Sequence, residues 1–179
     1  MVTVAISGLH GAGKTTVAKA LAKKFGLRYI SAGEVFRQLA KERGMSLEEF
    51  SRYAEKHPEI DRQIDERTAR MAKLGNVIID GRIAAWMAEN ADLKILLTVP
   101  VEVRVRRIAK RERRSYRDVL KETVEREKSE AMRFKKFYGI DINDYSSFDI
   151  VFNTEHFSKG ETLKLLELAV GFIVKKGKE

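Results

Sequence analysis

The chain is predicted to fold as an α/β layered domain around a five-stranded parallel sheet. Three observations carry this expectation. Five short apolar, β-branched runs stand out: "TVAIS" (3–7), "LRYIS" (27–31), "NVIID" (76–80), "KILLTV" (94–99) and "DIVFNT" (149–154). Near-continuous hydrophobicity of this kind suits parallel strands buried on both faces. Longer charged segments with helical spacing lie between the runs, and alternation of strand and helix argues for helices layered on a parallel sheet. Finally, the first run leads straight into "SGLHGAGKTT" (7–16), a turn whose residues contribute little to a core.

That turn contains Gly8-x-x-x-x-Gly13-Lys14-Thr15, the phosphate-binding loop pattern. A loop between a buried strand and a helix N-terminus points successive N–H groups inward, and the helix dipole adds favourable potential for an anion. Gly8, Leu9, His10, Gly11, Ala12, Gly13, Lys14, Thr15 and Thr16 are therefore the expected contacts of a nucleotide's phosphates. Lys14 would reach the β- and γ-phosphates, and Thr15 would offer its hydroxyl to Mg²⁺. The helix that follows, "TVAKALAKKFG", should stop at Gly26. The loop alone does not separate kinases, GTPases and transport ATPases. No Asn-Lys pair exists to begin a guanine-binding motif, and no Leu-Ser-Gly-Gly-Gln-like signature is present.

The second strand runs into "YISAGEVFRQLA". Gly33 lets the chain turn close to a ligand next to Ser31, and Arg37 lies one turn into the helix, where it can grip a phosphate bidentately. The same residues also fit an ordinary strand–turn–helix with a surface arginine. Ser46-Leu-Glu-Glu49 is a capping box opening another helix, Pro58 suits the first position of the next, and Gly44 and Gly75 fall where helices should stop. The third strand ends in Asp80-Gly81-Arg82, at the sheet edge where α/β folds bind ligands. Asp80 is equally suited to cap a helix.

Pro100, after the fourth strand, suits the first position of a helix. Arg104, Arg107 and Arg111 recur there at helical spacing, a pattern shared by anion-binding and by solvated, salt-bridged helices. Ser115-Tyr-Arg-Asp118 is the aspartate variant of a capping box. Arg126, Glu130 and Arg133 are spaced i, i+4, i+7 on one helix face, and alone would be a surface ion-pair ladder. Ser158-Lys-Gly-Glu161 opens the last helix, with Phe157 placed as a hydrophobic staple, and "VKKGKE" at the end is expected to fray.

Composition narrows the class. The net charge is +9, and residues 101–136 hold nine Arg and five Lys against six Glu and one Asp, so phosphate chemistry should use that segment. Absence of cysteine excludes disulfides, thiolate metal sites and cysteine nucleophiles, and fits the cytoplasm. His10, His57 and His156 are too scattered for a metal cluster and are expected to be solvated loop residues. Two Gln and four Asn against 18 Lys and 18 Glu resemble a heat-adapted composition. No stretch approaches the ~20 apolar residues of a membrane span, and the N-terminus lacks the pattern of a signal peptide. One domain over 1–179 is expected.

Taken together, the loop, the Ser31/Gly33/Arg37 turn and the basic segment resemble the nucleoside monophosphate kinases. Asp80-Gly81-Arg82, the Arg126/Glu130/Arg133 trio and the run "YGIDINDYSSFDIVFNT" resemble the cytidylate kinases, in their short archaeal type. The resemblance spans Val4 to about Thr154. It implies a P-loop kinase three-layer α/β/α sandwich with strand order 2-3-1-4-5, an acceptor-binding helical segment over about 34–75 and a lid over about 104–125. It implies transfer of the ATP γ-phosphoryl group to CMP, and to dCMP, in pyrimidine nucleotide metabolism, with Mg²⁺.

By the same resemblance, Lys14, Arg107, Arg111 and Asp80 would be catalytic, and Arg104 and Arg107 would join the loop in binding ATP. Ser31, Gly33, Arg37, Asp80, Gly81, Arg82, Arg126, Glu130 and Arg133 would hold the acceptor, with Glu130 on the ribose. Departures from the bacterial pattern are Ala32 where a hydroxyl residue is usual, Ile83 where aspartate is frequent, and the missing insert that reads the base. The partners implied are small-molecule nucleotides, without nucleic acid or membrane, and a monomer is expected. AMP or UMP as acceptor, or an RNA-associated P-loop ATPase, are the competing readings. Against the last, Tyr116 is the only aromatic residue from 101 to 133.

Overall fold

A computed structural model of the chain describes residues 1–177. Its strands are β1 (Thr3–Gly8), β2 (Arg28–Ser31), β3 (Val77–Asp80), β4 (Leu93–Thr98) and β5 (Ile150–Asn153). Its helices are α1 (Lys14–Phe25), α2 (Ala32–Glu42), α3 (Leu47–Lys56), α4 (Pro58–Ala72), α5 (Ala84–Met87), α6 (Val101–Glu112), α7 (Tyr116–Tyr138) and α8 (Lys159–Lys176). The sheet is parallel throughout, in the order β2-β3-β1-β4-β5. All five strands lie within about a residue of the ranges expected from hydrophobic runs, because central parallel strands are apolar on both faces.

Period-2 alternation divides the core in two. Val4, Ile6, Ile78, Ile95 and Leu97 meet α1 and α8 on one side, with Leu21, Leu166 and Val170. Ala5, Val77 and Ile79 face the other side, where Ala84 and Ala85 of α5 pack. Helices α2, α3 and α4 carry a separate apolar cluster of Phe36, Leu39, Phe50, Ile60 and Ile64, so the segment expected to bind the acceptor has a small core of its own. Val105, Ile108 and Val119 hold α6 against α7 as a helical hairpin.

Local signals set most helix ends. Ser46 and Ser158 each form the reciprocal capping box with Glu49 and Glu161, and the Ser115 hydroxyl accepts from the Asp118 N–H. Pro58 opens α4, and Gly26 closes α1. Four local expectations need correction. Pro100 is not the first helical residue but the cap before it, because its ψ of 147° is extended. Asp80 caps no helix, since α5 starts after Ile83. Phe157 tilts against Phe152 at 5.0 Å rather than forming a staple, and Thr162, where a staple would need an apolar residue, is polar. The terminal run does not fray from Val174, because α8 continues to Lys176; Lys178 and Glu179 lie outside the described residues.

The topology aligns the C-terminal ends of β1, β3 and β4. Ile6 pairs with Asp80, and Gly8 pairs with Leu97. The loop after β1 thus emerges between the end of β3 and the start of α6. No helix among the described residues is long and apolar enough to cross a membrane.

Candidate active site

Residues 8–13 form the turn from β1 into α1. Gly8 has φ 150°, and a Cβ there would lie 2.4 Å from the Leu97 carbonyl oxygen, so no other residue fits without moving β4. Gly13, with φ 95°, stands at the N-terminus of α1 in place of a capping side chain, leaving that helix end open for an anion. The Lys14 ammonium folds back across the loop and donates to the Leu9 carbonyl at 3.0 Å. Burial pulls Lys14 down to about 8, with Asp80 opposing that shift and Arg82 adding to it.

Asp80 ends β3 facing the first turn of α1. Its Oδ2 accepts from Thr15 Oγ1 at 2.7 Å and from the Tyr29 hydroxyl at 3.0 Å. Burial, with Asp80 adding, raises the Tyr29 phenol beyond its ordinary range, so it stays a proton donor. Hydroxyl and carboxylate oxygens at this spacing are the hard donors Mg²⁺ takes alongside phosphate and water. Among the described residues no group of three or more His, Cys, Asp or Glu gathers elsewhere as a metal site.

Opposite the loop lies a cluster of cations around one carboxylate. Arg82 donates from Nε to Glu130 Oε2 at 2.9 Å, and Arg126 donates from Nε to Glu130 Oε1 at 3.0 Å. Side-chain exposure is 14% for Arg82, 13% for Arg126 and 10% for Glu130. The trio is therefore no surface ladder. Burial alone would raise Glu130, but Arg126, Arg82 and Arg133 outweigh it and hold the carboxyl down to about 2. Arg82 and Arg126 each spend their Nε–H on Glu130. Arg82 Nη2 is buried with no hydrogen-bond partner among the described residues, which ordinarily costs about 1–3 kcal/mol. Two forks fixed through Nε and aimed by one carboxylate suit a bidentate oxyanion.

Ser31, Gly33 and Arg37 border this cluster. The Ser31 hydroxyl accepts from the Glu34 N–H as the cap of α2. A Cβ at Gly33 would lie 3.4 Å from Arg37 Nη1, so the glycine leaves room for that guanidinium, which is exposed and has no ion pair among the described residues. Gly81 approaches closely too: its Cβ would stand 3.1 Å from Ala32 Cβ.

His10 differs from the solvated residue expected. It is half-buried, and desolvation together with Arg126 and Lys14 pushes its imidazole down to about 3, so it is neutral near pH 7. His57 stacks on Tyr53 at 3.7 Å.

Two arginines differ more. Arg133 is 2% exposed. It donates to Asp61 Oδ2 and to the Ser129 hydroxyl, each at 2.9 Å, tying α7 to α4. Its guanidinium is committed to protein partners and is not presented to an acceptor as expected. Burial raises the Asp61 carboxyl, with Arg133 opposing. Leaving one buried partner uncompensated costs about 3–5 kcal/mol. Asp61→Ala and Arg133→Ala are each expected to lower Tm by roughly 6–20 °C, at about 2–4 °C per kcal/mol for a chain of this size. Scanning calorimetry checks this, and a loss under about 2 °C would show the pair to be superficial.

Arg104 is likewise buried, paired with Glu127, and donates to the His10 carbonyl at 3.0 Å. It lies beneath the loop rather than over a nucleotide. Arg107 donates to the Thr154 hydroxyl and carbonyl, both at 3.1 Å, beside the end of β5. Arg111 is 60% exposed and pairs with Glu112. Of the three arginines expected at the lid, Arg107 and Arg111 are thus the two not buried beneath the loop. The segment expected as a lid is the α6–α7 hairpin, whose exposed tip covers 110–118. Asp61, Tyr29 and Glu127 escaped the sequence reading; each acts through a partner distant in sequence or indistinct from its neighbours.

The phosphate-binding loop at the end of β1, the 2-3-1-4-5 parallel sheet and the cation cluster facing the loop define a P-loop kinase. Residues 3–156 match the model of the cytidylate kinase-like family, and the chain belongs to that family. It is 48% identical over 167 residues to the cytidylate kinase of Pyrococcus horikoshii, covering 93% of this chain and 87% of that one. Identity to the cytidylate kinase of Pyrococcus abyssi is 47% over 173 residues, covering 97% and 96% of the two chains. Among solved structures, shikimate kinase from Bacteroides thetaiotaomicron superposes with a TM-score of 0.61 at 17% identity over 95% of this chain and 98% of that one, which shows the shared fold.

Proposed function

We propose that the protein transfers the γ-phosphoryl group of ATP to CMP, and also to dCMP, giving CDP or dCDP and ADP. The observation that carries this reading is the pair of part-buried forks, Arg82 and Arg126, aimed by Glu130 beside the glycine-lysine loop, with Arg82 Nη2 left unpartnered among the described residues. Such an arrangement suits a second phosphate next to the donor's. Cytidylate kinases 42–48% identical to this chain support cytidylate as its bearer. ATP would lie on residues 8–16, with Arg107 and Arg111 above it. Arg37, Arg82 and Arg126 would hold the acceptor phosphate, and Arg133 would brace α7, the helix that carries Arg126 and Glu130. Thr15 and Asp80 would hold Mg²⁺, which would supply neutralisation of the charge developing on the transferring phosphate.

The acceptor phosphate is already an anionic nucleophile, so no general base is required, and rate comes from alignment and fixed cations. Seating of the hairpin tip over the donor would exclude water that otherwise hydrolyses ATP. A coupled assay with ATP and a panel of monophosphates tests the reading. CMP is expected to give the highest kcat/KM, since each hydrogen-bonding group left unpaired by uracil costs about 1–3 kcal/mol. A panel won by AMP or UMP overturns the acceptor assignment.

A further inference from the structure

We infer that Arg104 is a positioning residue for the donor nucleotide: it fixes the plane of the His10–Gly11 peptide and thereby aims the Gly11 N–H into the phosphate-binding loop. The inference rests on the reading of residues 8–15 as the donor site and not on the choice of acceptor.

Arg104 sits in the first turns of α6, facing inward with Val105 and Ile108, and is 3% exposed. Its planar fork joins four acceptor atoms on three residues. Nε donates to the Val99 carbonyl at the end of β4 at 3.2 Å, and Nη1 donates to the His10 carbonyl at 3.0 Å. Nη1 and Nη2 together grip the two oxygens of Glu127 on α7. One guanidinium thus ties the sheet end, the loop and the second helix of the hairpin.

In a trans peptide the C=O and the following N–H point in opposite directions across one plane. Turning the His10 carbonyl toward Arg104 therefore turns the Gly11 N–H away from α6, toward the concave side of the loop. No backbone acceptor takes that N–H among the described residues. Gly11 has φ 82°, and a Cβ there would lie 3.0 Å from Ile108 Cδ1 and 3.1 Å from Arg104 Cβ, so the loop is pressed flat on the helix at this point. A glycine adopts either sign of φ with little penalty, and nothing intrinsic to it stops the peptide from flipping. A flip would turn a carbonyl toward the phosphates in place of a donor. The bias against it comes from Arg104, and Glu127 keeps the fork from swinging away. Lysine cannot substitute, because its ammonium is a single point and cannot span acceptors on three elements. Since α6 also carries Arg107 and Arg111, loop geometry and hairpin seating depend on the same side chain.

The test measures MgADP affinity by calorimetry in wild type, Arg104→Lys, Arg104→Met and Glu127→Gln, with melting curves and the ¹⁵N–¹H signal of Gly11 during titration. Arg104→Lys keeps the charge and guards against loss of folding in Arg104→Met. Both are expected to bind MgADP at least about tenfold more weakly, as misplacement of a fixed donor costs, with a smaller loss in Glu127→Gln. The Gly11 amide should shift strongly on MgADP addition in wild type and little in the variants, and KM for CMP should change less than about twofold, because the acceptor cations are untouched. Variants that melt lower yet bind MgADP within about twofold of wild type, with the Gly11 shift intact, would make Arg104 a merely structural strut. Wild type that fails to bind MgADP overturns the inference together with the loop reading. Wild type that binds MgADP but does not phosphorylate CMP overturns only the acceptor assignment, and the Arg104 comparison then stands on the binding data.

Discussion

Lys14→Ala is expected to lower kcat by about 10²-fold or more, equivalent to about 2.7 kcal/mol of transition-state stabilisation, the loss typical of one preorganised charge. In the proposed reading Lys14 would be the cation the loop supplies to the transferring group; its ammonium donates to the Leu9 carbonyl. Its ammonium is desolvated, which pulls it down to about 8 but leaves it mainly charged at pH 7. A lysine with a depressed folded-state value is penalised in its charged form, and the penalty applies at every pH below its unfolded value of about 10.4. Removing it should therefore leave melting unchanged or slightly higher while turnover collapses. That opposition separates a catalytic role from a structural one. Steady-state kinetics with saturating CMP, paired with melting curves, measures both. Near-normal turnover in a clean Lys14→Ala preparation would remove the loop from the chemistry.

The sheet, the loop and the capping boxes were legible in sequence because their causes are local or periodic. Buried parallel strands need apolar runs, Gly8 is demanded by the carbonyl of Leu97, and Ser46 and Ser158 find their partners three residues on. The division of labour among the arginines was not legible. Arg104, Arg107 and Arg111 share one helix and one spacing, yet one is buried under the loop, one is tied to Thr154 and one is exposed. Their fates depend on partners far along the chain, His10 for Arg104 and Thr154 for Arg107, and helical periodicity holds no information about those. Asp61 and Arg133 are 72 residues apart, so neither could be recognised as the other's counter-ion. The Arg126/Glu130/Arg133 face was correct as a face. Its burial came from the packing of α7 on α3 and α4, which turned a pattern common on helix surfaces into two separate devices, an aimed pair and a brace.

Glu130→Gln is expected to lower kcat/KM at least about tenfold with CMP and with dCMP alike, since misaimed cations lose alignment with the acceptor phosphate. The motive is geometric. Both carboxylate oxygens already accept, one from Arg82 and one from Arg126, so the first task of Glu130 is to aim those forks. An amide has one acceptor oxygen and a nitrogen that donates, so it releases one guanidinium and repels it. A direct bond to the ribose predicts something else: a large loss with CMP and a smaller one with dCMP, which lacks a hydroxyl. Arg82→Ala and Arg126→Ala should raise KM for CMP far more than KM for ATP, because the donor loop keeps its own contacts. Stability should follow the same charge. Glu130 is held down to about 2 by its arginines, so its contribution is present above the ordinary carboxylate value near 4.5 and is lost as pH falls toward 2. Glu130→Gln leaves two buried guanidiniums without their shared counter-ion, a loss on the order of 3 kcal/mol near pH 7, and its stability should fall less steeply than wild type between about pH 4.5 and 2. Denaturant melts across that range, run beside kinetics on both acceptors, measure each limb. Unchanged kcat/KM with both nucleotides, or an acid limb as steep as that of wild type, would remove Glu130 from the centre of the acceptor site.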